Sequence, residues 1–416
     1  MPKSQYIDPK EMRKAGEITF SPIPVNQYKK TAKEELKSKH FTKDDLKRIY
    51  RDMVVIREFE TMLQLVKTTG GYNGVEYNNP GPAHLSAGQE AAAVGMAYML
   101  DINDFIFGSH RSHGEILAKG LRAIELLDDK SLEKIMNEFW DGATVNVAKK
   151  AYKGGSVKEL GIRFLLYGAL AEIFARTTGF NKGLGGSMHT FFTPFGIYPN
   201  NAIVGGSGSI AVGAALYKKV NRKPGVVVAN LGDASMARGP VWEGMTFAAM
   251  DQFKQLWEGD MKGGLPVIIN IMDNQYGMGG QTRGETMGFD FAARIGAGVN
   301  PEQMHAERVD GFNPLAVIDA YRRKKAILEK EKAGPVLLDV LTYRYSGHSP
   351  SDASSYRTKE EVEAWEAQDC IVSYGKELID AGVATQADLD AVTKEIKEIM
   401  FDTFKLSIDD ELSPRM

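Results

Sequence analysis

The chain has 416 residues, 43% of them hydrophobic, which is ample for one large core or two smaller ones. Its formal net charge of −3 offers no basic footprint for nucleic acid or for an anionic membrane. A single cysteine, Cys370, excludes an internal disulfide framework and a Cys-based metal site, and it fits a reducing, cytoplasmic setting.

Residues 1–41 are rich in Lys, Glu and Pro and read as a surface arm; the first twenty contain no apolar h-region of a signal peptide. Thr42 then caps a helix marked by Leu46, Ile49, Tyr50, Met53, Ile56 and Phe59 at three- and four-residue spacing, and Gly70-Gly71 ends it. A turn-rich loop, Tyr72–Pro82, leads to a helix of small residues around Gly88–Leu100. Helical patterning recurs in Leu132–Trp140 and Val157–Leu166. Three short β-branched runs, Val226–Leu231, Val267–Met272 and Val336–Leu341, read as buried strands, with a helix over Pro314–Glu331 before the last. From Thr358 to Leu406 the tail is charged and helical in period. No uncharged apolar run reaches the ~18 residues of a membrane span. Strands alternating with helices predict an α/β fold with a mostly parallel sheet flanked by helices. The expected division is an arm (1–41), an α/β domain (42–357) and a helical C-terminal extension (358–416).

Parallel sheets bind ligands beyond the carboxyl ends of their strands. The first such end reads Leu231-Gly232-Asp233-Ala234-Ser235, a carboxylate among small residues. The next strand ends in Asp273-Asn274-Gln275-Tyr276-Gly277. Alone, Gly-Asp-Ala is as well read as a structural turn. Two oxygen-bearing strand ends side by side instead suit a hard divalent ion such as Mg²⁺, held by Asp233, Asn274 and a backbone carbonyl at Tyr276. The run Val204–Ser209 opens a helix-like segment, where Gly205, Gly206 and Ser207 suit either close approach of a phosphate or tight helix packing. His110 and His113 read as a metal pair or as ordinary loop residues, and His348 as a lone histidine in a loop of Gly, Ser and Pro.

Together these stretches resemble the thiamine diphosphate motif, Gly-Asp-Gly followed some thirty residues later by an Asn pair. The resemblance is to the alpha chain of the decarboxylase component of pyruvate, branched-chain 2-oxo acid and acetoin dehydrogenase complexes. It is carried further by His84–Glu90, Phe107–Gly114, Gly185–His189 and Tyr343–Ser349 with Ser355–Arg357. It implies a thiamine-diphosphate-binding fold, with thiamine diphosphate and Mg²⁺ as cofactors. The metal ligands fall on Asp233, Asn274 and the Tyr276 carbonyl. His110, Arg111 and the loop Gly232, Asp233, Ala234 and Ser235 fall on the cofactor, with Gly205, Gly206 and Ser207 beside the phosphate. Arg111 is the natural diphosphate partner, because a guanidinium offers a fork of donors to phosphate oxygens. His113 is expected near the substrate, and His348 beside the cofactor, assisting acyl transfer to lipoate. Ser349 and Ser355 match positions that are phosphorylated in some members.

Several departures stand out. Ala234 replaces the second Gly, Asp273 the first Asn, and His110 the usual Tyr before Arg111. Lys254–Gly264 lengthens the interval between the two strand ends and should loop out. The stretch 121–171 lies outside the pattern and is expected to be a surface cap or an oligomer contact. The resemblance also implies partners: a beta chain, in an α₂β₂ assembly or fused in a longer parent, and a lipoyl acyltransferase, with a small 2-oxo acid as substrate. The beta chain would supply the carboxylate that activates the cofactor's aminopyrimidine. Two other readings stay open, cleavage of acetoin or another ketol with the same cofactor, and a scaffolding homologue without activity.

Overall fold

The computed structural model describes residues 6–416. Thr42 caps the first long helix, α1 (Lys43–Thr69), by a capping box with Asp45, and Gly70 at φ 75° ends it. Then follow α2 (Glu90–Tyr98), β1 (Phe105–Phe107), α3 (His113–Leu126), α4 (Asp129–Glu138) and α5 (Val157–Ile173). The middle of the chain holds α6 (Gly206–Val220), β2 (Val227–Gly232), α7 (Gly239–Ala248) and β3 (Val267–Asp273). The last part holds β4 (Glu307–Asp310), α8 (Pro314–Glu329), β5 (Val336–Leu341), α9 (Lys359–Glu366), α10 (Cys370–Asp380) and α11 (Gln386–Ile408).

The five strands form one parallel sheet in the order β1-β2-β3-β5-β4. The predicted strands are present within a residue of their expected ends. The two edge strands were not foreseen: β1 has three residues, and β4 reads Glu-Arg-Val-Asp, with no apolar run to announce it. Alternating side chains divide the core between the two faces of the sheet. Val228, Ile268 and Leu338 point into the larger layer with α1, α2, α3, α5, α8, α10 and α11. Val227, Ala229, Ile269 and Ile271 point into the smaller layer with α6 and α7. The arm is tied to the β4 edge, where Arg308 N donates to Pro24 O and Asn26 N to Arg308 O, both at 2.9 Å.

The expectation of a cap over 121–171 is corrected. Phe164, Leu165, Leu166, Tyr167 and Leu170 of α5 are wholly buried, and their helix packs on α3, α4 and α11. A Cβ on Gly120 would stand 2.5 Å from Leu165 Cδ1, so α3 and α5 touch at a distance that only glycine permits. The segment 358–416 likewise contributes to the main core, since Met400 and Phe404 of α11 are fully buried within the same cluster as α1 and α5. Lys254–Gly264 does loop out ahead of β3, following a short helical turn at Gln252–Gln255 and containing a 3₁₀ turn at Gly259–Met261.

Candidate active site

All strands of a parallel sheet end on the same side, so the segments after β1, β2, β3 and β5 converge. They line a cavity of about 340 Å³. After β1 come His110 and Arg111, at the end of β2 Gly232 followed by Asp233, Ala234 and Ser235, after β3 Asn274 and Tyr276, and after β5 Arg344 and His348. His84 and Gln89, just ahead of α2, close one side.

Asp233 is almost wholly buried and accepts a 2.6 Å hydrogen bond from Thr282 Oγ1. Burial first, and the charge of Asp273 second, hold its carboxyl well above the usual range. Asn274 and the Tyr276 carbonyl complete an oxygen-rich wall. Asp273 is engaged elsewhere: its Oδ2 accepts from Arg308 at 2.8 Å, and Arg308 also binds Asp339 at 2.8 Å. Arg308 thereby offsets part of the added acid's charge from behind the site.

Two buried guanidiniums line the same cavity. Arg111 donates to the carbonyls of Leu85 (2.7 Å) and His348 (2.8 Å). Burial and neighbouring Arg344 pull its pKa down to about 9. Arg344 donates to Gly277 O at 2.8 Å and to Tyr276 O at 3.3 Å, while its Nε is buried without a partner. With only carbonyls and a hydroxyl (Tyr356 on Arg344) as acceptors, the two cations lack a carboxylate, and an anion in the cavity would supply the missing charge. The loop that carries His348 is tied by Asp352, which accepts from His348 N (2.7 Å), Ser354 N (2.9 Å) and Tyr356 Oη (2.7 Å). Three imidazoles line the same cavity. Burial, and then the positive charge of Arg111, lower His84 to about 3, His110 to about 2 and His348 to about 4. All three are therefore neutral at physiological pH.

Four expected site residues are not on the cavity wall. Gly205 takes φ 82° at the start of α6, and Ser207 donates to Gly108 O, so with Gly206 this run serves the helix start. Within the same helix Gly208 packs against Gly244 of α7, as in the helix-packing reading. His113 lies behind the wall, its Nδ1 3.1 Å from Glu60 Oε1 and its Nε2 2.9 Å from Ser187 Oγ, leaving neither nitrogen for substrate. Glu90 is held by Arg57 Nε at 2.6 Å and by Gly88 N, a structural placement. Conversely, sequence reasoning assigned no role to His84, Arg344, Gln89 or Glu115, all of which line the cavity. Glu115, one turn into α3, is a buried carboxyl pushed up to about 7 by burial. His84, Gln89 and Arg344 belong to stretches that carried the resemblance, which was the available signal.

The family model described as dehydrogenase E1 component matches residues 51–151 and 156–414. The chain belongs to the dehydrogenase E1 component family. The match covers 121–151, 156–171 and the C-terminal helices, in keeping with their burial. The chain is 30% identical over 364 residues to a pyruvate dehydrogenase E1 component subunit alpha of Rhizobium meliloti, covering 87% of this chain and 85% of that one. It is 29% identical over 385 residues to the like-named subunit of Rickettsia conorii, covering 92% and 94%. A mitochondrial pyruvate dehydrogenase E1 alpha subunit (type II) of Ascaris suum is 30% identical over 400 residues, covering 96% and 84%. These findings bear out the resemblance: the chain has the alpha-subunit role of a thiamine-diphosphate-dependent 2-oxo acid dehydrogenase. Among the described residues no helix is long and apolar enough to cross a membrane.

Proposed function

We propose that this chain carries the Mg²⁺–diphosphate half of the active site in an oxidative decarboxylase of pyruvate or a close 2-oxo acid. The observation that carries this reading is the cavity itself, lined by the oxygen-bearing groups Asp233, Asn274 and the Tyr276 carbonyl and by the cations Arg111 and Arg344, which hydrogen-bond to no carboxylate. A metal diphosphate presents the matching charges, cation to the first set and anion to the second. Asp233, Asn274 and the Tyr276 carbonyl would hold the ion, and Arg344 would give up its long bond to that carbonyl while keeping Gly277 O. Arg111 would bind phosphate oxygens. When bound, thiamine diphosphate supplies the electron sink for decarboxylation, which no side chain of this protein can provide. His348, neutral and with a buried Nδ1 that has no protein partner, would move a proton during acyl transfer to a lipoyl group. Asp273, bound to Arg308, takes no part in metal binding.

The same reading includes a beta chain, which holds the carboxylate acting on the aminopyrimidine, in an α₂β₂ assembly served by a lipoyl acyltransferase. The names of the relatives favour pyruvate, and acetoin cleavage is the competing activity. The test is CO₂ release by the purified chain with thiamine diphosphate, Mg²⁺, an artificial oxidant and a panel of 2-oxo acids, with acetoin cleavage followed in parallel. No turnover is expected until the beta chain is added, and then pyruvate should lead. Steady turnover by the chain alone would overturn the half-site reading, and acetoin as the preferred substrate would overturn the choice of reaction.

A further inference from the structure

Glu361 stands in the first turn of α9, where Thr358 Oγ1 accepts from its backbone N at 3.1 Å. A glutamate at this place commonly turns back to the cap's own N–H and closes a capping box. Glu361 instead takes both oxygens to residues that follow two neighbouring strands, β3 and β5. Tyr276 Oη donates to Oε1 at 2.7 Å and to Oε2 at 2.8 Å, and Tyr343 Oη donates to Oε1 at 3.0 Å. The same helix stacks Trp365 on the Tyr343 ring, with centroids 5.1 Å apart at 11°. Hydrogen bonds to a carboxylate are charge-assisted, stronger than those between neutral groups. Metal binding, phosphate binding and acyl transfer leave this three-way contact without a role.

We propose that Glu361 is a positioning residue of the metal site, fastening Tyr276 so that the carbonyl of that residue stays on the cavity wall with Asp233 and Asn274. This rests on the Mg²⁺–diphosphate reading of the cavity, and it adds a residue from a helix that does not line the cavity. The backbone after β3 turns sharply at Gln275, φ 68°, and closes on itself, with Thr282 N donating to Gln275 O at 3.0 Å and Gly277 N to Gly280 O at 2.8 Å. Such a loop is tied internally but needs anchors to fix it against the sheet. Arg344 is one, on the Tyr276 and Gly277 carbonyls, and its 3.3 Å bond to Tyr276 O is the one an ion would displace. The Tyr276 phenol on Glu361 is an anchor that ion binding leaves intact. Tyr343 directly precedes Arg344 in the chain. One carboxylate therefore holds both the residue that offers an oxygen to the cation and the neighbour of a guanidinium that meets the anion. Glu361 lies behind the wall, and partners of this kind act through the ligand residue that they orient.

The test is calorimetric titration of thiamine diphosphate, at fixed Mg²⁺, into the full chain assembled with its beta chain. Loss of a partner that orients a metal ligand costs about 10–100-fold in metal affinity, so Glu361→Ala should raise the Kd by a factor in that range. Glu361→Gln keeps an acceptor for one phenol and should fall between Glu361→Ala and the parent. Tyr276→Phe keeps the ring and the carbonyl but loses the bonds to Glu361, and it should cost as much as Glu361→Ala. The double variant should cost no more than either single one, because both remove the same interaction. A purely structural role would lower the melting temperature with the Kd unchanged, or give additive losses in the double variant; either result overturns the proposal. Asp233→Ala, titrated alongside, separates the two readings. Loss of affinity there with parental affinity in Glu361→Ala removes Glu361 and leaves the metal site standing. Parental affinity in Asp233→Ala removes the metal site and the proposal with it. Should Glu361→Ala fail to fold by circular dichroism, Tyr276→Phe decides by the same measurement.

Discussion

Replacing Arg308 by Met tests how the acid that departs from the family pattern is held beside the proposed metal site. Arg308 on β4 sends one Nη to Asp273 Oδ2 and to Asp339 Oδ2, each at 2.8 Å, and all three side chains are buried. Met retains the apolar stem but leaves two carboxyl groups under the sheet without a cation. Removing one member of a buried ionic group costs about 3–5 kcal/mol, because the remaining charge is uncompensated. Unfolding entropy near the midpoint is ~2.1 cal/mol/K per residue, so 416 residues give about 0.9 kcal/mol/K and a loss of ~3–6 °C. Differential scanning calorimetry at pH 7.5 is the assay. Asp339 is already raised by burial and by Asp273, and it should rise further without Arg308. A native carboxyl with a raised pKa binds more protons than the unfolded chain, so the deficit should shrink as the pH falls from 8 to 6. Adding Asp273→Asn to the variant should recover a good part of the loss, since one charge then needs no partner. A melting temperature within 1 °C of the parent in Arg308→Met, or no recovery in the double variant, refutes this account of Asp273.

Asp233→Ala should abolish Mg²⁺-dependent binding of thiamine diphosphate in a titration calorimeter with the fold retained, and parental affinity would remove the metal assignment. His348→Ala should lower acyl transfer to a lipoyl acceptor by about 10²–10⁴-fold, while decarboxylation with an artificial oxidant suffers less; equal losses in the two assays would argue against a transfer role. The histidine cluster also sets a pH dependence. His84, His110 and His348 titrate far lower in the folded protein than in the unfolded chain, so as the pH falls below about 6.5 the unfolded chain takes up protons that the native state refuses. Stability should therefore be complete above that value and decline towards pH 5.5 by up to ~1 kcal/mol per histidine. Urea midpoints across this range measure it, and a flat profile contradicts neutral, buried rings.

The sequence by itself determined the parts in which one local signal dominates. Val267–Met272 is a strand because five of its six residues are apolar and four of them β-branched, which fits a layer buried on both faces, and Thr42 with Asp45 starts α1 through a cap written within four residues. Asp233, Asn274 and Tyr276 were legible for the same reason, since they follow strands and parallel strands all end on one side. The tertiary structure decided what depends on distant segments meeting. The helix at 157–173 has no amphipathic stripe because it is buried nearly all round, so its apolar pattern could not tell a central core helix from a cap. Arg308 reaches Asp273 only because β5 separates their strands by a single position in the sheet. His113 lost its expected place by burial against Glu60 and Ser187, and Gly205–Ser207 by turning into the packing of α6. His84, His110 and His348 lie as far as 264 positions apart in the chain, and their rings meet within a cavity wall. Spacing along a chain carries chemistry only as far as one element or one strand end extends; beyond that, the packing of helices against the sheet selects which side chains share a site.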